Sequence, residues 1–211
     1  MKTLFFKTLP STQLHLKELL KNSSTKVPVA VVADIQTAGV GSRNNSWNSQ
    51  EGNLFLSFAL SLDDLADDLQ LASASIYFSY ILKETLECFG SEVFLKWPND
   101  LYLKDKKIGG MITNVVNKRL ICGVGLNLKK LDDGFAYLDV SISREVLLKK
   151  YFENIEKKTL WKQVFSKYKL NFRTNKKFFT HINGIKVSLS EAVLEDDGSL
   201  NINGERIYSL R

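Results

Sequence analysis

The sequence predicts an α+β protein: a mixed β-sheet with helices packed on it, followed by a small β unit at the C-terminal end. Three observations carry this. Residues 27–33 (VPVAVVA) form a near-continuous β-branched run, the pattern of a strand buried on both faces. Residues 64–89 read as a long helix, acidic at its start and apolar nearly all round in its middle, so other elements must bury it. Beyond residue 178, Asn183-Gly184, Asp197-Gly198 and Asn203-Gly204 are turn signals separated by short alternating apolar runs.

The remaining elements follow in order. Residues 3–8 alternate enough for a short strand, and Pro10-Ser11-Thr12 opens a helix through about Lys21, with Ser11 or Thr12 as its N-cap. Residues 34–52 have hardly an apolar side chain and are rich in Gly, Asn and Ser. A loop that long in a compact domain is usually functional, and with so few anchors it is expected to gain its order from a ligand. A strand resumes over 54–60, with Leu54, Leu56, Phe58 and Leu60 on one face. Short strands are predicted over 93–97, 101–103, 107–116 and 120–126, turning at Lys104-Asp105 and Asn117-Lys118. Residues 144–155 and 160–172 read as amphipathic helices with basic outer faces. The terminal β unit is too small to hold a core alone. The predicted division is therefore a main domain of residues 1–177 and a small β domain of residues 178–211 leaning on it.

Composition narrows the function classes. The chain has 211 residues, 44% hydrophobic and 25% charged, which fits one domain with a small appendage and excludes a fibrous or disordered chain. Lys and Arg number 29 against 23 Asp and Glu, a formal charge of +6 with a pI near 9.2. Such a balance admits nucleic acid, an anionic surface or an acidic or phosphorylated substrate. The lysines fall in scattered pairs, with no zinc-ligand spacing and no RNP-like stretch, so nucleic acid is unsupported. Cys88 and Cys122 make no disulfide framework and read as reduced thiols of a cytoplasmic protein. The MKTLFFKTLP start is not a signal peptide, and the uncharged stretch 69–82 is too short to span a membrane.

The common nucleotide-binding signatures, G-x-x-x-x-G-K-[ST] and G-x-G-x-x-G, are absent. His15 and His181 lie far apart, no serine sits in a nucleophile elbow, and no metal ligands are assigned. Two other segments stand out. In the long loop, Gly39 and Gly41 let backbone amides approach a ligand, Arg43 offers a planar charge suited to phosphate, and Trp47 must bury itself on something. In Lys96-Trp97-Pro98-Asn99-Asp100, a lysine follows an apolar strand and precedes a sharp turn. Its ammonium is thereby drawn toward a site holding a carboxylate or phosphate.

These residues resemble a known family. KWPNDLYL (96–103) followed by KKIGG (106–110) resembles the core motif of the biotin–protein ligases, and QTAGVGSRNNSW (36–47) is similar to their biotinyl-adenylate loop. ICGVGLN (121–127) resembles the family's glycine-bearing strand, and Ser11-Thr12-Gln13 its Ser-Thr-Asn turn. The resemblance implies a catalytic domain like that of class II aminoacyl-tRNA synthetases with a small SH3-like C-terminal unit. It also implies a monofunctional enzyme, since no helix-turn-helix domain precedes the first strand. The activity implied is ATP-dependent conversion of biotin to biotinyl-5′-adenylate, then transfer to a lysine of a biotin carboxyl carrier protein or domain of the acetyl-CoA carboxylase type. ATP and Mg²⁺ would serve it, a homodimer is allowed, and neither nucleic acid nor membrane is an expected partner.

Carried over residue by residue, the resemblance implies that Ser11, Thr12, Gln13 and Gln36 hold the ureido ring. Gly39, Gly41 and Ser42 would bring backbone to the carboxyl end and the phosphate. Lys96 would face the biotin carboxylate and the α-phosphate, Trp47 and Asn127 would border the adenine, and Arg43 and Lys107 would add charge. Asn99 and Asp100 would help orient the acceptor amine. One departure is plain: the family's G-R-G-R-R-G-R loop is here Gly39-Val40-Gly41-Ser42-Arg43-Asn44-Asn45, which keeps one arginine. A lipoate–protein ligase or octanoyltransferase shares this fold, but KWPND and the Trp47 loop disfavour it. A basic nucleic-acid-binding module is the remote alternative.

Overall fold

The computed structural model describes residues 1–21, 25–41, 45–130, 136–182 and 184–208. Its centre is a seven-stranded mixed sheet built from Lys2–Leu9 (β1), Val29–Gln36 (β2), Leu54–Ser61 (β3), Phe94–Lys96 (β4), Asp100–Leu103 (β5), Lys106–Val116 (β6) and Arg119–Leu126 (β7). The strand order is β1-β2-β3-β7-β6-β5-β4, with β1 and β2 parallel and every other pair antiparallel. The helices are Thr12–Lys21 (α1), Ala74–Glu87 (α2), Arg144–Glu156 (α3) and Trp161–Asn171 (α4). Two small sheets close the chain. One pairs Phe179–Ile182 (β8) with Ile185–Ser188 (β9); the other joins Val193–Leu194 (β10), Leu200–Ile202 (β11) and Glu205–Ile207 (β12).

The β2 strand shows why a continuous apolar run was needed. Val29, Val31 and Ala33 pack with Leu16 and Leu20 of α1, whereas Ala30 and Val32 join the larger core under α2, α3 and α4. β3 divides likewise: Leu54, Leu56, Phe58 and Leu60 enter the larger core, as expected, while Ala59 faces α1. The hairpin turns are formed as the sequence indicates. Lys104, Asn117 and Lys118 adopt positive φ, the conformation that tight turns between twisted strands demand. The small C-terminal sheets have no separate core, since Leu189, Leu194, Leu200 and Ile202 belong to the same apolar cluster as α2.

The predicted helix over 64–89 is corrected. Only residues 74–87 are α-helical, preceded by short 3₁₀ turns at Leu62–Asp64 and Leu71–Ser73. The acidic stretch that looked like a helix's first turn caps a different helix. Asp68 Oδ1 and Oδ2 accept the Trp161 and Lys162 backbone N–H groups at 2.6 and 3.0 Å, satisfying donors at the start of α4. Ser11 is the N-cap of α1, its Oγ accepting the Leu14 N–H at 3.4 Å. No helix among the described residues is long and apolar enough to cross a membrane.

Candidate active site

In an antiparallel sheet, residues directly opposite one another share a face. The registers Ser57↔Gly123, Phe55↔Gly125, Ile112↔Gly123, Gly110↔Gly125, Asp100↔Gly110 and Lys96↔Asp100 therefore put Ser57, Ile112, Gly123, Gly125, Gly110, Asp100 and Lys96 on one face, the α1 side. Three of these are glycines on neighbouring strands, so this part of the face lacks side chains and forms a floor. Above it lies a cavity of about 400 Å³, bounded by the N-terminus of α1 at one end and by the 36–53 loop and Asn127 at the other.

The glycine floor is occupied from above. A Cβ on Gly123 would lie 2.5 Å from Gln13 Oε1, and one on Gly125 would collide with the Trp47 indole. Trp47 thus lies flat on bare backbone, and this supplies the loop with the apolar anchor that its composition conceals. Its backbone N–H donates to the Gly39 carbonyl at 2.8 Å, and the Gly41 N–H donates to the Asn45 carbonyl at 2.7 Å. Val40 and Ser46 form a β-bridge. The described parts of the loop are therefore held by backbone pairing and by Trp47, where the sequence suggested order only from a ligand. Ser42 and Arg43 lie outside the described residues.

At the α1 end the polar groups are densely interlocked. Gln36 Oε1 accepts the Thr12 backbone N–H at 2.8 Å and the Thr12 hydroxyl at 3.1 Å, and Thr12 Oγ1 is 2.9 Å from Ser57 Oγ. Gln36 Nε2 donates to Ser49 Oγ at 3.3 Å, and Gln13 Nε2 to Asn114 Oδ1 at 3.1 Å. Buried here without a partner among the described residues is Gln13 Oε1; elsewhere on the wall, Trp47 Nε1 and Asn99 Oδ1 are in the same state. A buried polar atom left unpaired costs roughly 1–3 kcal/mol, and all three belong to residues that line the cavity.

The charged groups sort differently from the sequence expectation. Lys107 and Asp100 both line the cavity and pair with each other, Nζ to Oδ1 at 2.7 Å, with Lys107 Nζ 5.7 Å from the Trp47 ring centroid. Lys96 shares their face but is not part of the cavity wall. It stands one strand farther out, its Nζ 3.4 Å from the Tyr102 hydroxyl and 4.9 and 5.9 Å from the Tyr102 and Phe178 ring centroids. Burial, aided by the Asp100 charge, pushes the Tyr102 hydroxyl up to about 12, so it faces Lys96 as a neutral phenol. Asn99 is buried between strands, its amide donating to the Met111 carbonyl. Of the other sequence-predicted residues, Ser11, Thr12, Gln13, Gln36, Gly41, Trp47 and Asn127 line the cavity, and Gly39 sits behind Trp47.

Sequence reasoning missed Ser57, Asn53 and Met111. Ser57 had a signal, a lone hydroxyl in an otherwise apolar strand. Asn53 had none: its Oδ1 accepts the Leu128 N–H at 3.0 Å and its Nδ2 donates to Asn127 at 3.4 Å, a tertiary contact that fixes Asn127 at the cavity rim.

Residues 5–129 match the biotin/lipoate A/B protein ligase family. The chain belongs to that family. Among solved structures, this member of it resembles the biotin acetyl coenzyme A carboxylase synthetase of Helicobacter pylori, a structure with bound biotinylated ATP. The two are 39% identical, with a TM-score of 0.94 over 98% of this chain and 99% of that one. The biotin protein ligase of Aquifex aeolicus, in complex with biotin and ATP, shares the fold, with a TM-score of 0.78 at 22% identity over 100% of this chain and 96% of that one. Among curated relatives, the bifunctional ligase/repressor BirA of Bacillus subtilis is 31% identical over 63% of this chain and 42% of its own length. The ligase-family chain described here spans less than half the length of the curated relatives it matches.

Proposed function

We propose that this protein is a biotin–protein ligase that activates biotin with ATP and transfers it to a lysine of a carrier domain. The observation that carries this is the cavity end built from Ser11, Thr12, Gln13, Gln36 and Ser57, a dense cluster of hydroxyl and amide groups. A ureido ring offers two N–H donors and a carbonyl acceptor, which such a wall can satisfy. The dithiolane of lipoate offers neither and would leave these groups unpaired, a discrimination worth orders of magnitude. The likeness to structures holding biotin and nucleotide supports the same reading.

In this reading Lys107 takes the leading electrostatic role and Lys96 a flanking one. The biotin carboxylate is already a nucleophile toward the α-phosphorus of ATP, so the first step needs positioning and positive charge where negative charge gathers. Lys107 is held by an ion pair that is partly exposed and therefore weak, so it can leave Asp100 for the phosphate. We assign Lys96, on the same face beyond Asp100, to the outer phosphates of ATP. Trp47 offers its face to the adenine and Asn127 its rim contact, with Arg43, Ser42, Gly39 and Gly41 on the phosphate side. In the second step the carrier lysine amine attacks the mixed anhydride and adenylate leaves, with Asn99 and Asp100 flanking the amine.

Among the described residues no group of three or more His, Cys, Asp or Glu could hold a metal, and Asp100 is the sole carboxylate on the cavity wall. This donor set suits Mg²⁺ carried in on the triphosphate as part of the substrate, keeping most of its waters. We assign the protein to the cytoplasm, with a biotin carboxyl carrier protein as acceptor, a homodimer as an allowed assembly, and residues 178–211 as a small unit bracing the main domain. The test is ATP–pyrophosphate exchange: biotin should drive it and lipoate or octanoate should not. Exchange driven by lipoate and not by biotin would overturn the reading.

Two predictions arise here. Gly125→Ala should displace Trp47, raising KM for ATP about tenfold while the biotin Kd changes less than about threefold, as overpacking by one methyl costs roughly 1–3 kcal/mol; steady-state kinetics and calorimetry check this. The second concerns adenylate retention. Val40 and Asn45, which line the cavity, and Ser42 replace arginines of the family loop. Each missing charge-assisted contact is worth roughly 1.5–3 kcal/mol when buried. Biotinyl-adenylate should therefore leave this enzyme faster than it leaves a four-arginine ligase. Rapid gel filtration after adenylation, with the bound label counted over time, should give a shorter half-life; an equal one would contradict the expectation.

A further inference from the structure

We propose that Ser49 is a positioning residue: its hydroxyl ties the returning arm of the Trp47 loop to Gln36, so that a ligand held at the α1 end of the cavity tightens the binding of a nucleotide at the Trp47 end. The inference rests on the biotin reading above and concerns a residue that the reading does not use.

The two arms of the loop are held differently. The outgoing arm is fixed to the α1 end through backbone, the Thr37 N–H donating to the Leu9 carbonyl at 3.0 Å and the Ala38 N–H to the Pro10 carbonyl at 2.8 Å. The returning arm, which carries Trp47, is tied at the neck of the loop to the outgoing one. The Trp47 N–H donates to the Gly39 carbonyl at 2.8 Å, and Gln36 Nε2 donates to Ser49 Oγ at 3.3 Å. The neck is tight: a Cβ on Gly39 would lie 2.6 Å from the Trp47 carbonyl oxygen and 3.1 Å from both Gln36 Nε2 and Ser49 Oγ. Groups packed this closely move together.

The direction of the Gln36 amide is fixed. Its oxygen accepts the Thr12 backbone N–H, which can only donate, so its nitrogen is the end that faces Ser49. Gln36 lines the cavity, whereas half-buried Ser49 is not part of the cavity wall. A ligand that holds the Gln36 amide therefore restrains Ser49, and with it the arm that presents Trp47. A nucleotide arriving at Trp47 then has less ordering left to supply, which is a coupling free energy between the two ends.

The full chain is titrated by calorimetry with an ATP analogue whose α and β phosphorus atoms are bridged by a methylene, so that no adenylate forms. The titration is run with and without saturating biotin, and the ratio of the two dissociation constants measures the coupling. In the wild type, biotin should tighten the analogue at least about fivefold. In Ser49→Ala that ratio should fall at least about threefold, while biotin affinity measured alone stays within about threefold of wild type. Ser49→Thr keeps the hydroxyl and should hold the ratio within about twofold of wild type.

A Ser49→Ala chain that binds the analogue more weakly to the same extent with and without biotin would overturn the proposal, because a merely looser loop does that. Equal loss of the ratio in Ser49→Ala and Ser49→Thr would overturn it too, since the hydroxyl would then not be the tie. A wild-type chain that binds biotin with a ratio near one sinks this inference alone; one that binds no biotin overturns the functional reading itself.

Discussion

Lys107→Ala is expected to slow biotin-dependent adenylate formation by about 10²–10³-fold, the scale of removing one preorganised transition-state contact. Lys96→Ala should slow it by no more than about fivefold, the scale of a charge acting from outside the cavity wall. The ranking follows from position. Both ammonium groups are on the α1 side of the sheet, but Lys107, on β6, lines the cavity beside Asp100 and Trp47, and Lys96, on β4 two strands farther out, lies against Tyr102 and Phe178. Lys107 is the more exposed of the two, so the ranking rests on reach, its ammonium bordering the cavity where that of Lys96 does not. Single-turnover formation of labelled adenylate, quenched in acid, separates the two. A larger loss from Lys96→Ala than from Lys107→Ala would show that the chain rearranges around ATP and brings Lys96 inward.

Trp97→Ala is expected to cost about 3–5 kcal/mol of stability, the usual consequence of emptying a large buried aromatic site. Trp97 is 2% exposed and ties the edge of the seven-stranded sheet to the turn before β11. Its indole N–H donates to the Gly198 carbonyl at 2.8 Å, and its backbone N–H donates to Asn175 Oδ1 at 2.6 Å. Asn175, itself fully buried, returns an N–H to the Leu95 carbonyl at 3.0 Å. Trp97→Phe keeps most of the apolar contact and loses the indole hydrogen bond, so it should cost about 1–3 kcal/mol, chiefly through the stranded carbonyl. Urea denaturation curves for both variants test the order. A Trp97→Ala protein as stable as wild type would mean that the C-terminal unit contributes nothing to β4.

Much of this architecture can be read from the residues because burial was recorded in their period. The two-faced run in β2 and the one-faced alternation in β3 each stated which side had a partner. The cavity floor was half legible: Gly123 and Gly125 announced a bare strand, but only the register shows Gly110 beside them and Trp47 above. What could not be read was the destination of polar groups. Asp68 sits in a stretch that resembles a helix start, and its partner is a helix far along the chain. Lys96 follows an apolar strand toward the site, as inferred, yet its ammonium is taken by aromatic rings contributed from β5 and from Phe178. The family resemblance gave Lys107 only a share of the added charge, and the β5–β6 pairing with Asp100 brings it to the cavity wall. Capping and charge pairing depend on contacts that local sequence does not encode.

In the proposed function one cavity both activates biotin and passes it on. The most direct measurement incubates the full chain with isotopically labelled biotin, MgATP and a purified biotin carrier domain, and follows pyrophosphate release and acceptor mass together. Pyrophosphate release should require biotin, one carrier lysine should gain the mass of one biotinyl group, and both signals should be lost in Lys107→Ala. Labelling of the carrier without ATP, or ATP cleavage indifferent to biotin, would contradict it.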